Sequence, residues 1–103
     1  MARPGKLAED VEAVWQAVLR RNGLKKESRV GYSIGLAYPP DWGERTVSLR
    51  PGDRTELQAG MCFHIQAGLW LEGFGVAISE SFIVTEKGGE RLCDVARELI
   101  VID

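Results

Sequence analysis

This 103-residue chain has a single histidine, His64, and only two cysteines, Cys62 and Cys93. The cysteines follow no ligand or redox spacing, which argues against a zinc finger and a disulfide framework. A reduced, cytoplasmic setting is therefore expected, with both thiols as small buried apolar groups. Charge of one sign is also lacking. Thirteen basic residues oppose fifteen acidic ones, for a formal charge of −2. Arg20-Arg21 and Lys25-Lys26 flank a helix end, where cations are favoured anyway, so nucleic acid is not expected as a partner. No apolar run is long enough to cross a bilayer, and the first residues do not resemble a secretory leader. A hydrophobic content of 45% suits one globular domain over residues 1–103.

Leu7, Val11, Val14, Trp15, Val18 and Leu19 recur at three- and four-residue steps. This spacing predicts an amphipathic helix from Leu7 to Asn22 with Trp15 on its apolar stripe. Glu9, Asp10 and Glu12 early and Arg20-Arg21 late suit the helix dipole, and Gly23 suits the position just past the end. Residues 28–53 are rich in Gly, Pro and charge. Within them, 38–44 reads as an ordered loop carrying Tyr38 and Trp42, and Pro51-Gly52-Asp53 as a turn. Ala59-Gly60 turns the chain into a strand at Met61–Ile65. Further strands are expected at Trp70–Leu71, Val76–Val84 and, after a turn at Lys87-Gly88-Gly89, Glu98–Ile102. Together these elements make an α+β arrangement, with helices packed on an antiparallel sheet.

Three blocks carry chemistry: Gly31-Tyr32-Ser33-Ile34-Gly35-Leu36, the run Leu57 to Gly68 (L-Q-A-G-M-C-F-H-I-Q-A-G), and Val76 to Glu86 (V-A-I-S-E-S-F-I-V-T-E). They resemble the second half of the pita-bread fold shared by creatinase, prolidase and the aminopeptidases. Its metal-dependent members read G-H-G-I-G-L, L-x-P-G-M-x-F-T-I-E-P-G and V-R-I-E-D-x-x-x-V-T-E. The resemblance implies a curved antiparallel sheet and a C-terminal catalytic half-domain. It also places the family's metal ligands on Tyr32, Gln66 and Ser79, and a second family histidine on Pro39. Divalent ions of this class need anionic oxygen to offset their charge. A phenol, which ionises only near pH 10, a carboxamide and a hydroxyl do not supply it. No metal and no other cofactor is therefore expected.

Side chains alternate across a strand, so Cys62, His64 and Gln66 share one face and Phe63 and Ile65 the other. Ala77, Ser79 and Ser81 should face the same cavity as His64, leaving Ile78, Glu80 and Phe82 turned away. Glu80 is thus not expected to replace the missing ligand unless a bulge intervenes. Cys62, His64 and Gln66 are too few for a new mononuclear site, so His64 is expected to be a hydrogen-bonded cavity histidine rather than a ligand.

Within the pita-bread group, the string Arg29 to Leu36, the loop Tyr38-Pro39-Pro40-Asp41-Trp42-Gly43-Glu44 and Gly68-Leu69-Trp70 are most similar to ectoine hydrolases. That resemblance implies hydrolytic opening of a small cyclic amidine without the usual metal pair. An amidinium ring is suited to aromatic faces and neutral acceptors. His64 and Tyr32 are then the expected catalytic groups, His64 able to move a proton near neutral pH. Gln66, Trp42, Trp70 and Ser79 are expected to bind substrate. Two alternatives are a catalytically inactive half acting as a binding or assembly module, and a creatinase-like amidino hydrolase. The last requires a histidine where Tyr32 stands. A half-domain leaves a face bare, so the expected partner is a second copy in a homodimer or a separately encoded first half.

Overall fold

A computed structural model describes residues 2–25, 29–36, 40 and 43–102. In chain order it has helix α1 (Ala8–Arg21) and strands β1 (Gly31–Ile34), β2 (Gly43–Leu49), β3 (Cys62–Leu71), β4 (Phe74–Thr85) and β5 (Gly88–Arg91). The strands form one antiparallel sheet in the order β2-β1-β3-β4-β5. The α+β class expected from the sequence is the one observed.

The helix starts at Leu7, whose side chain has no acceptor to cap it. Asp10 compensates in part by accepting the Leu7 N–H at 2.8 Å, half of a capping box. The next two free N–H groups, of Ala8 and Glu9, donate to the carbonyls of Thr55 and Asp53 at 2.9 Å each. The start of the helix is thereby pinned to the turn after β2. At the other end Gly23 has φ +68°. Its N–H donates to Arg20 and that of Leu24 to Leu19, at 3.1 and 2.9 Å, closing a Schellman motif.

The apolar stripe of α1 lies on one face of the sheet. Ala8 and Val11 pack there with Val30, Val47, Leu49, Leu57, Phe63, Phe82 and Val84. At the centre, Phe63 and Phe82 are cross-strand partners with ring centroids 5.6 Å apart. Both point to the helix side, so their neighbours His64 and Ser81 must point to the opposite side.

Three expectations are corrected. The separate strands at Met61–Ile65 and Trp70–Leu71 are one continuous strand, Cys62–Leu71, because β4 pairs with it along its whole length. Glu98–Ile102 is not a strand: its apolar run lies exposed beside no pairing edge, and the last strand is instead β5, where a turn was expected. Cys93 is exposed rather than buried, Cys62 is half-buried, and both are free thiols. No described helix is long and apolar enough to cross a membrane.

Candidate functional site

The register places three side chains in a row across the bare face of the sheet. Tyr32 on β1 stands opposite His64 on β3, and His64 stands opposite Ser81 on β4. The Tyr32 and His64 rings are 5.5 Å apart and tilted by 45°. His64 Nδ1 lies 3.2 Å from Ser81 Oγ. That bond fixes the imidazole and leaves Nε2 as the ring nitrogen able to meet another molecule. One step along the ribbon, Gln66 stands opposite Ser79; two further pairs on is Trp70, opposite Gly75.

Trp70 owes its position to Gly68. A Cβ at Gly68 would fall 1.7 Å from the Trp70 Cζ3 atom, so the indole lies flat over the glycine backbone. Trp70 is 67% exposed and lies on the same side of the sheet as His64 and Gln66. Trp42 lies outside the described residues, as do Tyr38 and Pro39.

Tyr32 is supported from behind by residues that the sequence did not single out. The Arg29 guanidinium sits 4.8 Å above its ring, a cation–π contact. Arg29 Nη1 also donates to Ser48 Oγ at 3.1 Å, and the Ser48 N–H donates to Asp53 Oδ2 at 2.8 Å. Burial pushes the Asp53 carboxyl up, but the Thr55 hydroxyl, the N–H groups of Ser48 and Thr55 and the charge of Arg50 outweigh it. Asp53 is held below the usual 3.8 as a result. Arg29 escaped notice because its contact depends on β1 pairing with β2 across an irregular register between Tyr32 and Ile34. Nothing local in the sequence marks that pairing.

His64, Ala77, Ser79 and Ser81 line a cavity of about 430 Å³, closed on one side by the segment 93–98 that follows β5. Cys93 is part of that wall, a second residue not foreseen as lining the site. Glu80 points to the helix side, as strand parity requires. Its carboxylate there meets Arg91 at 3.9 Å and Arg97 at 3.7 Å. The irregularity in register lies between β1 and β2 rather than in β4, so parity is preserved where it matters.

The fold, one helix on an antiparallel sheet, is that of the second half of the pita-bread fold. Residues 1–86 match the sequence profile of Metallopeptidase family M24, and the chain belongs to that family. It is 48% identical over 101 residues to the uncharacterized hydrolase/peptidase y4tM of Sinorhizobium fredii, covering 98% of this chain and 26% of that protein. It is 47% identical over 102 residues to the ectoine hydrolase of Halomonas elongata, with the same coverage. Among solved structures, dipeptidase PepE from Mycobacterium ulcerans superposes with a TM-score of 0.85 at 32% identity, over 96% of this chain and 26% of that one. Prolidase from Thermococcus sibiricus gives 0.85 and 32%, over 98% and 27%. The chain thus spans about a quarter of the length of these relatives.

The family description implies a metal. The ligand positions carry a phenol, a carboxamide and a hydroxyl. Among the described residues no three His, Cys, Asp or Glu side chains converge. The described side chains do not fit a pair of hard divalent cations.

Proposed function

We propose that this chain carries the C-terminal part of a metal-independent hydrolase that opens a small cyclic amidine, as its similarity to an ectoine hydrolase suggests. The row Tyr32–His64–Ser81, with Gln66, Ser79 and Trp70 beside it, carries this reading. It combines neutral hydrogen-bonding groups, one proton-transfer group and one exposed aromatic side chain on a single side of the sheet. An amidinium binds such a surface through its ring face and its N–H donors, which Gln66 and Ser79 accept. Water adds to the amidine carbon, the C–N bond then breaks, and the products are an amide and a free amine. His64 takes a proton from the attacking water and returns one to the departing nitrogen. Ser81 holds the imidazole in place, and Tyr32 directs its hydroxyl toward the reacting group.

The test incubates ectoine with the purified chain, alone and mixed with the first three quarters of the Halomonas relative, and follows the ring-opened product by NMR. Turnover that survives chelation and falls about 100-fold or more in His64→Asn is expected from loss of a positioned acid–base group. Turnover restored only by added manganese or zinc would refute the reading. So would failure to open any cyclic amidine in either arrangement.

A further inference from the structure

An amidinium ring brings a positive charge onto the sheet, and Gln66, Ser79 and Tyr32 meet it only with neutral oxygens. A cation drawn out of water against neutral acceptors alone recovers little of its desolvation cost. A carboxylate beside those acceptors offsets the charge and strengthens the hydrogen bond it receives.

The cavity that holds His64, Ser79 and Ser81 has such a group. Its charged lining residues, among those described, are Glu80, Arg97 and Glu98. The first two answer each other. Glu80 points to the helix side, and its carboxylate lies 3.7 Å from Arg97 Nε and 3.9 Å from Arg91. Arg97 also lines the groove beneath α1 on that side, so its charge is drawn away from the bare face. Glu98 does not line that groove. Among the described residues it has no ion pair and no hydrogen bond. The charge left over in the His64 cavity is therefore negative, and Glu98 carries it.

The exit of the chain from β5 sets its place. The Leu92 N–H donates to the Ser81 carbonyl at 2.9 Å, which starts residues 93–98 along the cavity wall beside Ser81. The pairing of Arg97 with Glu80 then anchors the residue next to Glu98. A carboxylate reaches the site in this way although the ligand positions Tyr32, Gln66 and Ser79 hold none.

On the reading that this face takes a cyclic amidine, we propose that Glu98 is the substrate-binding residue that receives the amidinium charge and selects cationic rings over neutral ones. One Glu98 oxygen accepts an amidinium N–H in a charge-assisted bond, while Gln66 and Ser79 orient the ring relative to His64. A neutral ring of the same size gains the orienting bonds without the charged one. Glu98 is exposed, so the preference is about fivefold, the scale of an ion pair open to water.

NMR titration of the full chain, isotope-labelled at its single histidine, tests this. The chain is used alone and mixed with the unlabelled first three quarters of the Halomonas relative. The probes are methyltetrahydropyrimidine, a cyclic amidine that is cationic at neutral pH, and propyleneurea, a neutral six-membered ring that also carries two N–H donors. The His64 resonances should saturate at about fivefold lower concentration of the amidine than of the urea. Glu98→Gln should bring that ratio close to one by weakening the amidine and leaving the urea unchanged. Glu72→Gln, the same loss of charge at the exposed turn between β3 and β4, should keep the preference. Circular dichroism reports whether each variant folds. Equal affinity for the two rings in the parent chain would overturn the assignment, as would a preference that survives Glu98→Gln. So would binding of neither ring in both arrangements. The ring-opening assay reads separately. Amidine bound through Glu98 but never opened would refute the hydrolase and leave the assignment standing. Ring opening with an unchanged KM in Glu98→Gln would do the reverse.

Discussion

Gly31 is where packing of the sheet and geometry of the candidate site are set by the same atom. A Cβ built there falls 2.6 Å from the His64 carbonyl oxygen, 2.8 Å from Leu49 Cδ1 and 3.2 Å from Ile65 Cα. Leu49 is fully buried and has little room to turn aside, and the other two atoms are backbone. To accept Gly31→Ala, β1 and β3 must part by about 0.8 Å to restore ordinary contact. The hydrogen bond from the Gln66 N–H to the Val30 carbonyl, now 2.7 Å, would stretch to the edge of the bonding range. Overpacking costs about 1–3 kcal/mol, and a weakened sheet bond adds about 1 kcal/mol. The restricted unfolded chain returns about 0.4–1 kcal/mol. The net loss is about 1–3.5 kcal/mol, which for a domain of this size lowers Tm by roughly 4–28 °C. Thermal unfolding followed by circular dichroism measures this directly. The same displacement moves His64 relative to Tyr32, so the His64 imidazole resonances should shift in the folded variant. A Gly31→Ala protein that melts within about 3 °C of the parent would refute the argument, since thermal shifts that small correspond to well under 1 kcal/mol.

Other substitutions separate fold from site. Gly68→Ala meets the far end of an exposed side chain rather than backbone. Stability should change by less than about 1 kcal/mol in urea unfolding, while the Trp70 ring swings off the sheet and its fluorescence changes. Phe63→Ala empties a fully buried position stacked on Phe82 and should cost about 3–5 kcal/mol in the same assay. Asp53 has its folded pKa below its unfolded value. Its contribution to stability is therefore fully present above about pH 4 and is lost as pH falls through the lowered folded value. Asp53→Ala should be less stable by about 1–2 kcal/mol at pH 7, and a pH series should show that gap narrowing below about pH 4. Glu80→Gln removes two long ion pairs to Arg91 and Arg97. It should leave Tm within a few degrees, since pairs of this kind contribute under about 1 kcal/mol, while hydrogen exchange across residues 92–98 accelerates.

What could be read from the amino-acid order depended on whether local pattern and long-range pairing agreed. Helix α1 and the paired stretches of β3 and β4 declare themselves by spacing alone. Alternation from Cys62 to Gln66 and from Ala77 to Ser81 was enough to put His64, Gln66, Ser79 and Ser81 on one face and to turn Glu80 away. Gly31–Ile34 and Gly43–Leu49 lack a comparable run, so β1 and β2 were passed over, and with them the Arg29–Ser48–Asp53 chain that supports Tyr32. The C-terminal region shows the opposite failure. Leu99-Ile100-Val101-Ile102 has strong strand-forming side chains and forms no strand, whereas Gly88-Gly89-Glu90-Arg91 has weak ones and does. The difference lies in delivery. The tight turn at Glu86-Lys87, held by the Thr85 hydroxyl donating to the Gly88 carbonyl at 2.7 Å, returns the chain directly against the edge of β4. Residues 99–102 meet no such edge among the described residues. Strand propensity measures how well side chains suit a pleated neighbour, so it has no effect where the connection supplies no neighbour and is overridden where a two-residue turn imposes one.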